Sequence, residues 1–189
     1  MARLHALHSF VMKTITLLRH AKSNWASTPS GGAPPADTAR PLAPRGERDA
    51  PRMAKWMAAH DIRPQLVLCS TAVRTRQTLE LVKGAVLADA GTITFRDDLY
   101  LAEAANLIEM IRRLSDKVGH VMLLGHDPGM HDLAHLLSGA GDIAMRRLLS
   151  LKFPTSAVAV IDFDIARWRD IAPGAGTLRH FMAPKRLPD

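Results

Sequence analysis

Short runs of apolar residues alternate with longer amphipathic segments along most of the chain. The runs are rich in aliphatic residues, several of them β-branched, and such runs are typical of buried strands. They predict strands over residues Thr14–Leu18, Leu66–Cys69, Ile93–Phe95, His120–Leu124 and Ala157–Phe163. A turn or loop containing Gly, Pro or Ser borders most of these runs, which supports the assignment.

The segments between these runs carry apolar residues at helical spacing. Leu107, Ile108 and Ile111, for example, share one face of a helix, which is the pattern of an amphipathic helix. The same periodicity predicts helices over residues 45–60, 73–84, 104–118 and 130–137. Strands that alternate with helices indicate an α/β domain with a largely parallel sheet.

We predict that residues 13–189 form one domain. A chain of 189 residues is long enough for one hydrophobic core. Residues 1–12 precede the first strand and are interpreted as a loose N-terminal extension, with a translation start upstream of Met12 as the alternative. Residues 26–44 contain five of the twelve prolines and are predicted to be a loop. The basic tail after Asp164 has no clear pattern.

Three polar clusters follow predicted strands. Arg19 and His20 follow the first strand, and His126 follows the fourth strand in a turn rich in Gly and Pro. After the second strand, Ser70 stands where a helix cap is expected, and Arg74 lies one turn into that helix. Because ligands bind beyond the carboxyl ends of parallel strands, we expect these clusters to converge at one edge of the sheet.

These residue types suit phosphoryl chemistry. A neutral His20 imidazole is a competent nucleophile toward phosphorus, and an Arg guanidinium can hold phosphoryl oxygens with paired hydrogen bonds. Taken alone, Arg19–His20 is typical of a surface pair, and His126 of a loop histidine. The three clusters together favour a catalytic pocket. Arg76, on the same helix as Arg74, is interpreted as a solvated charge.

Composition narrows the class of protein. The net charge of +7 favours an anionic substrate, but the basic residues are scattered and aromatics are few, which disfavours a nucleic-acid surface. No apolar run is long enough to cross a membrane. Cys69 is the only cysteine, which excludes an intrachain disulfide and a cysteine-built metal site and fits a cytoplasmic protein.

In its motifs the chain resembles the histidine phosphatase superfamily and, within it, the small SixA-like phosphohistidine phosphatases. That superfamily has an Arg-His pair after the first strand, a Ser-Pro-x-x-Arg-x-x-Gln-Thr stretch and a later Gly-His turn. The matching residues here are Arg19–His20, Ser70, Arg74, Gln77–Thr78 and Gly125–His126, in the same order and spacing. The chain departs from the pattern at Ala21, where Gly is usual, and at Thr71, where Pro is usual. Both changes leave the expected chemistry intact.

The resemblance implies a three-layer α/β fold of the phosphoglycerate mutase type, without a large cap domain. It also implies that His20 attacks the phosphorus and forms a phosphohistidine, which water then hydrolyses. Arg19, Arg74 and His126 would contact the phosphoryl oxygens, where charge must be stabilised. No metal and no cofactor are expected, because the guanidinium and imidazole groups supply the positive field.

The general acid that protonates the leaving group has two candidates. Relatives use a carboxylate either in the region of Glu103, after the third strand, or at the position of Asp127, directly after His126. Either residue can instead cap a helix or a turn, and we place Glu103 slightly ahead. Lys22 and Arg40 are candidates for additional positive charge near the phosphate, or for solvated roles.

Two substrate classes fit such a pocket. The short chain leaves little room for a lid, which favours a phosphorylated protein side chain such as phosphohistidine. A small phosphorylated metabolite, in a phosphomonoesterase or mutase-like reaction, would use the same residues. A phosphate-binding module without turnover is a third hypothesis, which the presence of a nucleophile disfavours. We expect no nucleic-acid or membrane partner, and the sequence leaves the oligomeric state open.

Overall fold

The computed structural model of the protein describes residues 12–25 and 36–188. The predicted N-terminal extension, apart from Met12, and residues 26–35 of the predicted loop lie outside the described residues. No helix in the described ranges is both long enough and apolar enough to span a membrane.

Within the described residues, one sheet of seven strands lies at the centre of the fold. The strands are β1 (Lys13–Arg19), β2 (Leu66–Ser70), β3 (Thr92–Arg96), β4 (His120–Gly125), β5 (Ser138–Gly141), β6 (Val158–Phe163) and β7 (Gly176–Met182). Their order in space is β3-β2-β4-β1-β6-β7-β5. The first four in this order are parallel neighbours, and β6 runs antiparallel to both β1 and β7. The predicted largely parallel sheet is confirmed.

Helices cover both faces of this sheet. The described residues form α1 (Pro44–Ala59), α2 (Val73–Val86), α3 (Ala104–Arg112), α4 (Gly129–Leu137) and α5 (Ile143–Leu151). Successive strand residues point to opposite faces, so in β1 Leu18 joins the core beneath α1 and α2. Its neighbour Leu17 joins the core beneath α3, α4 and α5. The result is the three-layer α/β fold that the family resemblance implies.

Among the described residues, two β-strands and one α-helix are not predicted by the sequence pattern. One is β5, whose sequence Ser-Gly-Ala-Gly has no β-branched residue. Another is α5, whose cap is Asp142, with its carboxylate accepting a hydrogen bond from the backbone N–H of Met145 at 2.8 Å. The third is β7, which pairs with β6 and β5. The tail after Asp164 is therefore part of the sheet, because long-range pairing orders a stretch with weak local preference.

Helix α3 is shorter than predicted, ending at Arg112 instead of continuing to residue 118. The buried Lys13 ammonium donates hydrogen bonds to the backbone carbonyls of Asp116 at 2.5 Å and Val118 at 2.9 Å. The backbone N–H of Trp168 donates to the Asp116 carboxylate at 2.8 Å. These distant partners hold the segment in a turn, which helical periodicity alone does not reveal.

Gly129 begins α4 beside the carbonyl of Ala102, and we expect its replacement to destabilise the protein. A Cβ atom at position 129 would lie 1.9 Å from that carbonyl oxygen, so the backbone would have to move. Gly129→Ala is expected to lower the free energy of unfolding by about 2–3 kcal/mol. The matched control is Gly84→Ala on α2, where nothing lies within 4 Å of the same atom. Gly84→Ala is expected to raise the free energy of unfolding by about 0.5–1 kcal/mol. Urea unfolding measures the free energy of unfolding of both variants. Equal stabilities of Gly129→Ala and Gly84→Ala would contradict the prediction.

Candidate active site

The three polar clusters converge at the carboxyl edge of the sheet, as predicted. Strands β1 and β4 pair in parallel with Arg19 opposite Gly125, so the residues that follow them are neighbours. The rings of His20 and His126 have centroids 5.3 Å apart. A pocket of about 320 Å³ opens here, and its lining includes Arg19, His20, Arg74 and His126. The structure thus brings together the four residues that the motifs indicate.

His20 is held as a neutral imidazole with one nitrogen available. Its Nδ1 lies 2.8 Å from the carbonyl oxygen of Ala21. A carbonyl only accepts hydrogen bonds, so Nδ1 carries the proton and Nε2 keeps its lone pair. Burial, and to a lesser extent the nearby charges of Arg74 and Arg19, lowers the pKa of His20 to about 3. The unprotonated nitrogen therefore persists at neutral pH, as a nucleophile requires.

Arg74 and His126 form one hydrogen-bonded unit. Arg74, whose side chain is only 2% exposed, donates from Nη2 to His126 Nδ1 at 3.1 Å. The opposite ring nitrogen, Nε2, therefore carries the proton and donates to the Ser70 hydroxyl at 2.8 Å. Burial, followed by the charge of Arg74, lowers the pKa of His126 to about 4. His126 is thus neutral and fixes the position of a buried cation.

Ser70 does not cap α2, contrary to the expectation from the sequence. It is the last residue of β2, and the cap position belongs to Ala72, which makes no side-chain capping bond. The Ser70 hydroxyl instead accepts a hydrogen bond from His126 Nε2 at 2.8 Å, and only a long one, at 3.5 Å, from the backbone N–H of Ala72. In this fold Ser70 holds a pocket histidine in place and does not cap the helix.

Helix α2 also secures the chain before the predicted loop and near the end of that loop. The hydroxyl of Thr78 accepts a hydrogen bond from the backbone N–H of Ala21 at 2.9 Å. The side-chain oxygen of Gln77 accepts one from the backbone N–H of Leu42 at 2.7 Å. The Gln-Thr pair of the motif therefore fixes the segments that leave β1 and enter α1.

Two carboxylates were candidates for the general acid, and the structure separates their positions. Asp127 lines the pocket, and one of its oxygens lies 3.6 Å from Nη1 of Arg19. The other oxygen is buried and has no hydrogen-bond partner among the described residues. Glu103 is exposed at the cap of α3 and is not part of the lining. The role of Glu103 as acid stays a prediction, and the geometry favours Asp127.

Asp37 is a pocket residue that the sequence analysis missed. Its carboxylate accepts hydrogen bonds from Arg74 Nη2 at 3.0 Å and from the Tyr100 hydroxyl, and forms an ion pair with Arg40 at 2.7 Å. The Tyr100 hydrogen bond and the charges of both arginines lower the pKa of Asp37. In the sequence, the only signal for Asp37 is its spacing of three residues from Arg40. Its other partners, Arg74 and Tyr100, are far from it along the chain. Asp37 shows that these donors converge on an anion.

Arg40 itself is oriented from its other side. Its guanidinium lies 3.4 Å from the centre of the Trp25 ring and donates to the Ser23 hydroxyl at 3.2 Å. Trp25, 70% exposed, lines the mouth of the pocket with Arg40 and Lys22. Lys22 and Arg40, the two candidates for additional positive charge, therefore both lie at the pocket.

The pocket carries a surplus of positive charge. Among the described residues, its lining contains four cations, Arg19, Lys22, Arg40 and Arg74, and two carboxylates, Asp37 and Asp127. The difference is two positive charges, which matches the charge of about −1.5 to −2 on a phosphoryl group at neutral pH. Elsewhere in the described ranges, as here, no three His, Cys, Asp or Glu side chains cluster closely enough to hold a metal ion.

The low pKa of His126 predicts a loss of stability in acid. Its pKa falls from 6.5 in the unfolded chain to about 4 in the fold. Between these values the unfolded chain binds a proton that the folded chain does not, so stability decreases as the pH falls below 6.5. We expect His126→Gln to reduce the slope of unfolding free energy against pH by about 1.4 kcal/mol per pH unit in this window. Urea unfolding from pH 7 to about 4 measures it, with the exposed His135→Gln as control. Identical slopes for His126→Gln and wild type would refute the prediction.

The three-layer α/β fold, with a pocket lined by histidine and arginine side chains at the carboxyl edge of the sheet, has the phosphoglycerate mutase-like architecture. A sequence profile of the histidine phosphatase superfamily (branch 1) matches residues 15–100. A SixA structure from Agrobacterium tumefaciens, described provisionally as a phosphohistidine phosphatase, is 31% identical, with a TM-score of 0.70 over 91% of this chain and 98% of that one. The chain belongs to the histidine phosphatase superfamily, in its SixA-like branch.

The chain is also similar to further proteins along most of its length. An uncharacterised protein of Mycobacterium tuberculosis is 38% identical over 170 residues, which are 89% of this chain and all of that protein. A SixA structure from Nakamurella multipartitia, also described provisionally, is 26% identical, with a TM-score of 0.75 over 92% of this chain and 96% of that one. The resemblance therefore extends over the whole scaffold and beyond the motifs.

Proposed function

We propose that the protein removes a phosphoryl group from its substrate through a phosphohistidine intermediate on His20, without a metal ion. The observation that carries this proposal is the free Nε2 of a neutral His20 in a pocket with a surplus of positive charge. A pure phosphate-binding site needs the cations but not the nucleophile. Catalysis through His20 accounts for both the cations and the available imidazole nitrogen.

In the first step, the lone pair of His20 Nε2 forms a bond to phosphorus as the bond from phosphorus to the leaving group breaks. The Nδ1 proton stays hydrogen-bonded to the Ala21 carbonyl, which stabilises the positive charge that the ring gains. Arg19 and Arg74 stabilise the phosphoryl oxygens in the transition state. We infer that His126 acts by accepting a hydrogen bond from Arg74 at Nδ1 and so holding its guanidinium. A direct contact of His126 with the phosphoryl oxygens, which the family resemblance implies, stays a prediction.

Asp127 is our choice for the general acid, in place of Glu103. It lines the pocket beside Arg19, whereas Glu103 lies outside the lining. Asp127, counted as a carboxylate in the charge balance of the pocket, would enter the first step protonated and give that proton to the leaving group. In the second step, water attacks phosphorus, the bond to His20 breaks, and the water proton returns to Asp127. Inorganic phosphate leaves and the initial state is restored.

Phosphohistidine on a protein is the substrate class that we propose. The SixA-like branch is described by that activity, and a structural neighbour at 22% identity and a TM-score of 0.70 is a protein histidine phosphatase complexed with tungstate, a tetrahedral oxyanion like phosphate. The pocket is open enough for a protein side chain, because its mouth is formed by exposed residues such as Trp25 and Leu101. A small phosphorylated metabolite is the alternative.

The test is rapid-quench intact mass spectrometry combined with a substrate panel. Wild type is mixed with a phosphohistidine protein, with free phosphohistidine and with a small aryl phosphate. A transient phosphoryl adduct on His20 and the highest kcat/KM on the protein are expected. Turnover by a His20→Ala variant at the wild-type rate would refute the nucleophile assignment. A preference for small phosphate esters would refute the substrate class alone.

We expect Asp37→Asn to bind inorganic phosphate more tightly than wild type. The carboxylate competes with the incoming anion for Arg74 and Arg40, and the amide has the same shape without the charge. Removing this charge should lower the inhibition constant for phosphate by about tenfold, given the strength of a charge pair near the protein surface. Competitive inhibition measured in steady state checks it. The control is Asp98→Asn, whose carboxylate pairs with Arg96 outside the pocket. Weaker phosphate binding by Asp37→Asn would show that Asp37 assists the site.

A further inference from the structure

A second cavity, of about 430 Å³, lies beside the catalytic pocket. Four basic residues stand on its rim and apolar side chains form its floor. The cations are Arg45, Lys152, Lys185 and Arg186, and the floor includes Leu148 and Phe181. Thr155 lines both this cavity and the catalytic pocket, so the two are adjacent. We call this second cavity the basic groove.

Three elements build the basic groove. Arg45 lies in the first turn of α1, Lys152 and Thr155 belong to the segment between α5 and β6, and Arg186 lies in the turn that follows β7. Phe181 is buried on the floor and packs against Phe153, with ring centroids 5.5 Å apart. The same segment contributes the Phe153 carbonyl that accepts a hydrogen bond from Arg19 at 2.6 Å. The groove is therefore attached to the catalytic pocket by well-packed residues.

The charges of the basic groove are largely uncompensated. No acidic residue within the described ranges lines it. Arg45 forms an ion pair with Asp49 at 3.3 Å, but Lys152, Lys185 and Arg186 are exposed and form no ion pair with another described residue. Closely spaced cations without acidic partners repel one another and attract an anionic ligand. The apolar floor favours a ligand that also has hydrophobic surface, as a peptide does.

We propose that the basic groove binds an acidic segment of the phosphorylated protein substrate, next to the phosphorylated side chain. This inference rests on the proposed function, since it requires a protein substrate at the catalytic pocket. A polypeptide whose modified residue enters that pocket can continue past Thr155 into the groove. Asp or Glu side chains there would meet the cations of the rim, and apolar side chains would meet Phe181. A free amino acid or small ester in the catalytic pocket would not reach this far, so the groove selects proteins over metabolites.

The experiment compares two phosphohistidine peptides that differ only in charge. One has several glutamates beside the phosphohistidine and the other has glutamines at the same positions. Wild type should show a kcat/KM about 5–10-fold higher for the acidic peptide, as expected for two or three surface charge pairs. This preference should disappear in Lys152→Ala/Arg186→Ala and should decrease when the ionic strength rises from about 0.05 to about 0.5 M. Turnover of a small aryl phosphate should be unchanged.

The matched control is Arg113→Ala/Lys117→Ala, which removes two exposed cations from the opposite edge of the sheet, near the start of β4. It should keep the preference for the acidic peptide. Equal kcat/KM values for the two peptides in wild type would overturn the proposal. An equal loss on the aryl phosphate in the groove variant would also overturn it, because the cations would then serve the catalytic phosphate.

A binding measurement separates this inference from the proposed function. Fluorescence anisotropy of the labelled acidic peptide without its phosphoryl group requires no catalysis. Salt-sensitive binding that the groove variant loses would support the groove even if no phosphatase activity were found. Absence of such binding, together with turnover of both peptides at the same rate, would overturn the groove and leave the phosphatase intact. A dimer that dissociates in the groove variant would assign the groove to a second copy of the chain and overturn the peptide proposal.

Discussion

His20→Ala is expected to lose phosphatase activity by a factor of about 10³ or more, the range seen when a covalent nucleophile is removed. The reason is that, among the pocket residues that the structure describes, no other imidazole nitrogen has a free lone pair. His126 accepts from Arg74 at Nδ1 and donates to Ser70 from Nε2, so it cannot replace His20 without breaking both bonds. Steady-state kinetics on a phosphohistidine protein and on an aryl phosphate measure the loss.

The control for this variant is His135→Ala, which removes an exposed histidine from α4 and should retain full activity. Because His20 is buried, the folded state of the variant needs its own check by circular dichroism and urea unfolding. His20→Asn provides a second substitution of closer size. A folded His20→Asn protein that still forms a phosphoryl adduct would place the nucleophile elsewhere.

Arg74→Lys is expected to reduce kcat/KM by about 10²–10³, as for removal of one donor that stabilises transition-state charge. Lys keeps the positive charge but not the planar fork. The Arg74 fork donates to His126, to the Asp37 carboxylate and to the Asp37 backbone carbonyl, and an ammonium cannot reproduce this geometry. The loss should fall mainly on kcat, because the geometry matters most when charge develops on the phosphoryl oxygens.

Arg76→Ala tests whether position on α2 matters as much as charge. Arg76 is exposed two residues further along the helix, and its side chain donates to the Thr71 carbonyl at 3.0 Å. It lies outside the pocket lining, so its variant should keep the wild-type kcat. Equal losses for Arg74→Lys and Arg76→Ala would show that the helix, and not the Arg74 fork, sustains activity.

Much of the candidate site was predictable because its residues lie in short motifs at strand ends. Arg19, His20, Arg74 and His126 follow three apolar runs, and parallel pairing brings such ends together. Asp37 was not predictable in the same way. It follows a Pro- and Gly-rich stretch, and its contact with Arg74 joins residues 37 positions apart. The choice between Glu103 and Asp127 likewise depends on where α3 begins relative to the pocket, which no local pattern specifies.

By itself the sequence determined the five strands and four helices with strong periodicity, and with them the α/β class, because apolar spacing reports directly which face of an element is buried. Only the tertiary structure decided the end of α3, the edge built from β5 and β7, and the adjacency of the basic groove to the catalytic pocket. These features depend on hydrogen bonds and packing between residues far apart in the chain, such as Lys13 with Val118. The local preference for helix or strand is weak at those positions, so the partner far along the chain decides the backbone conformation.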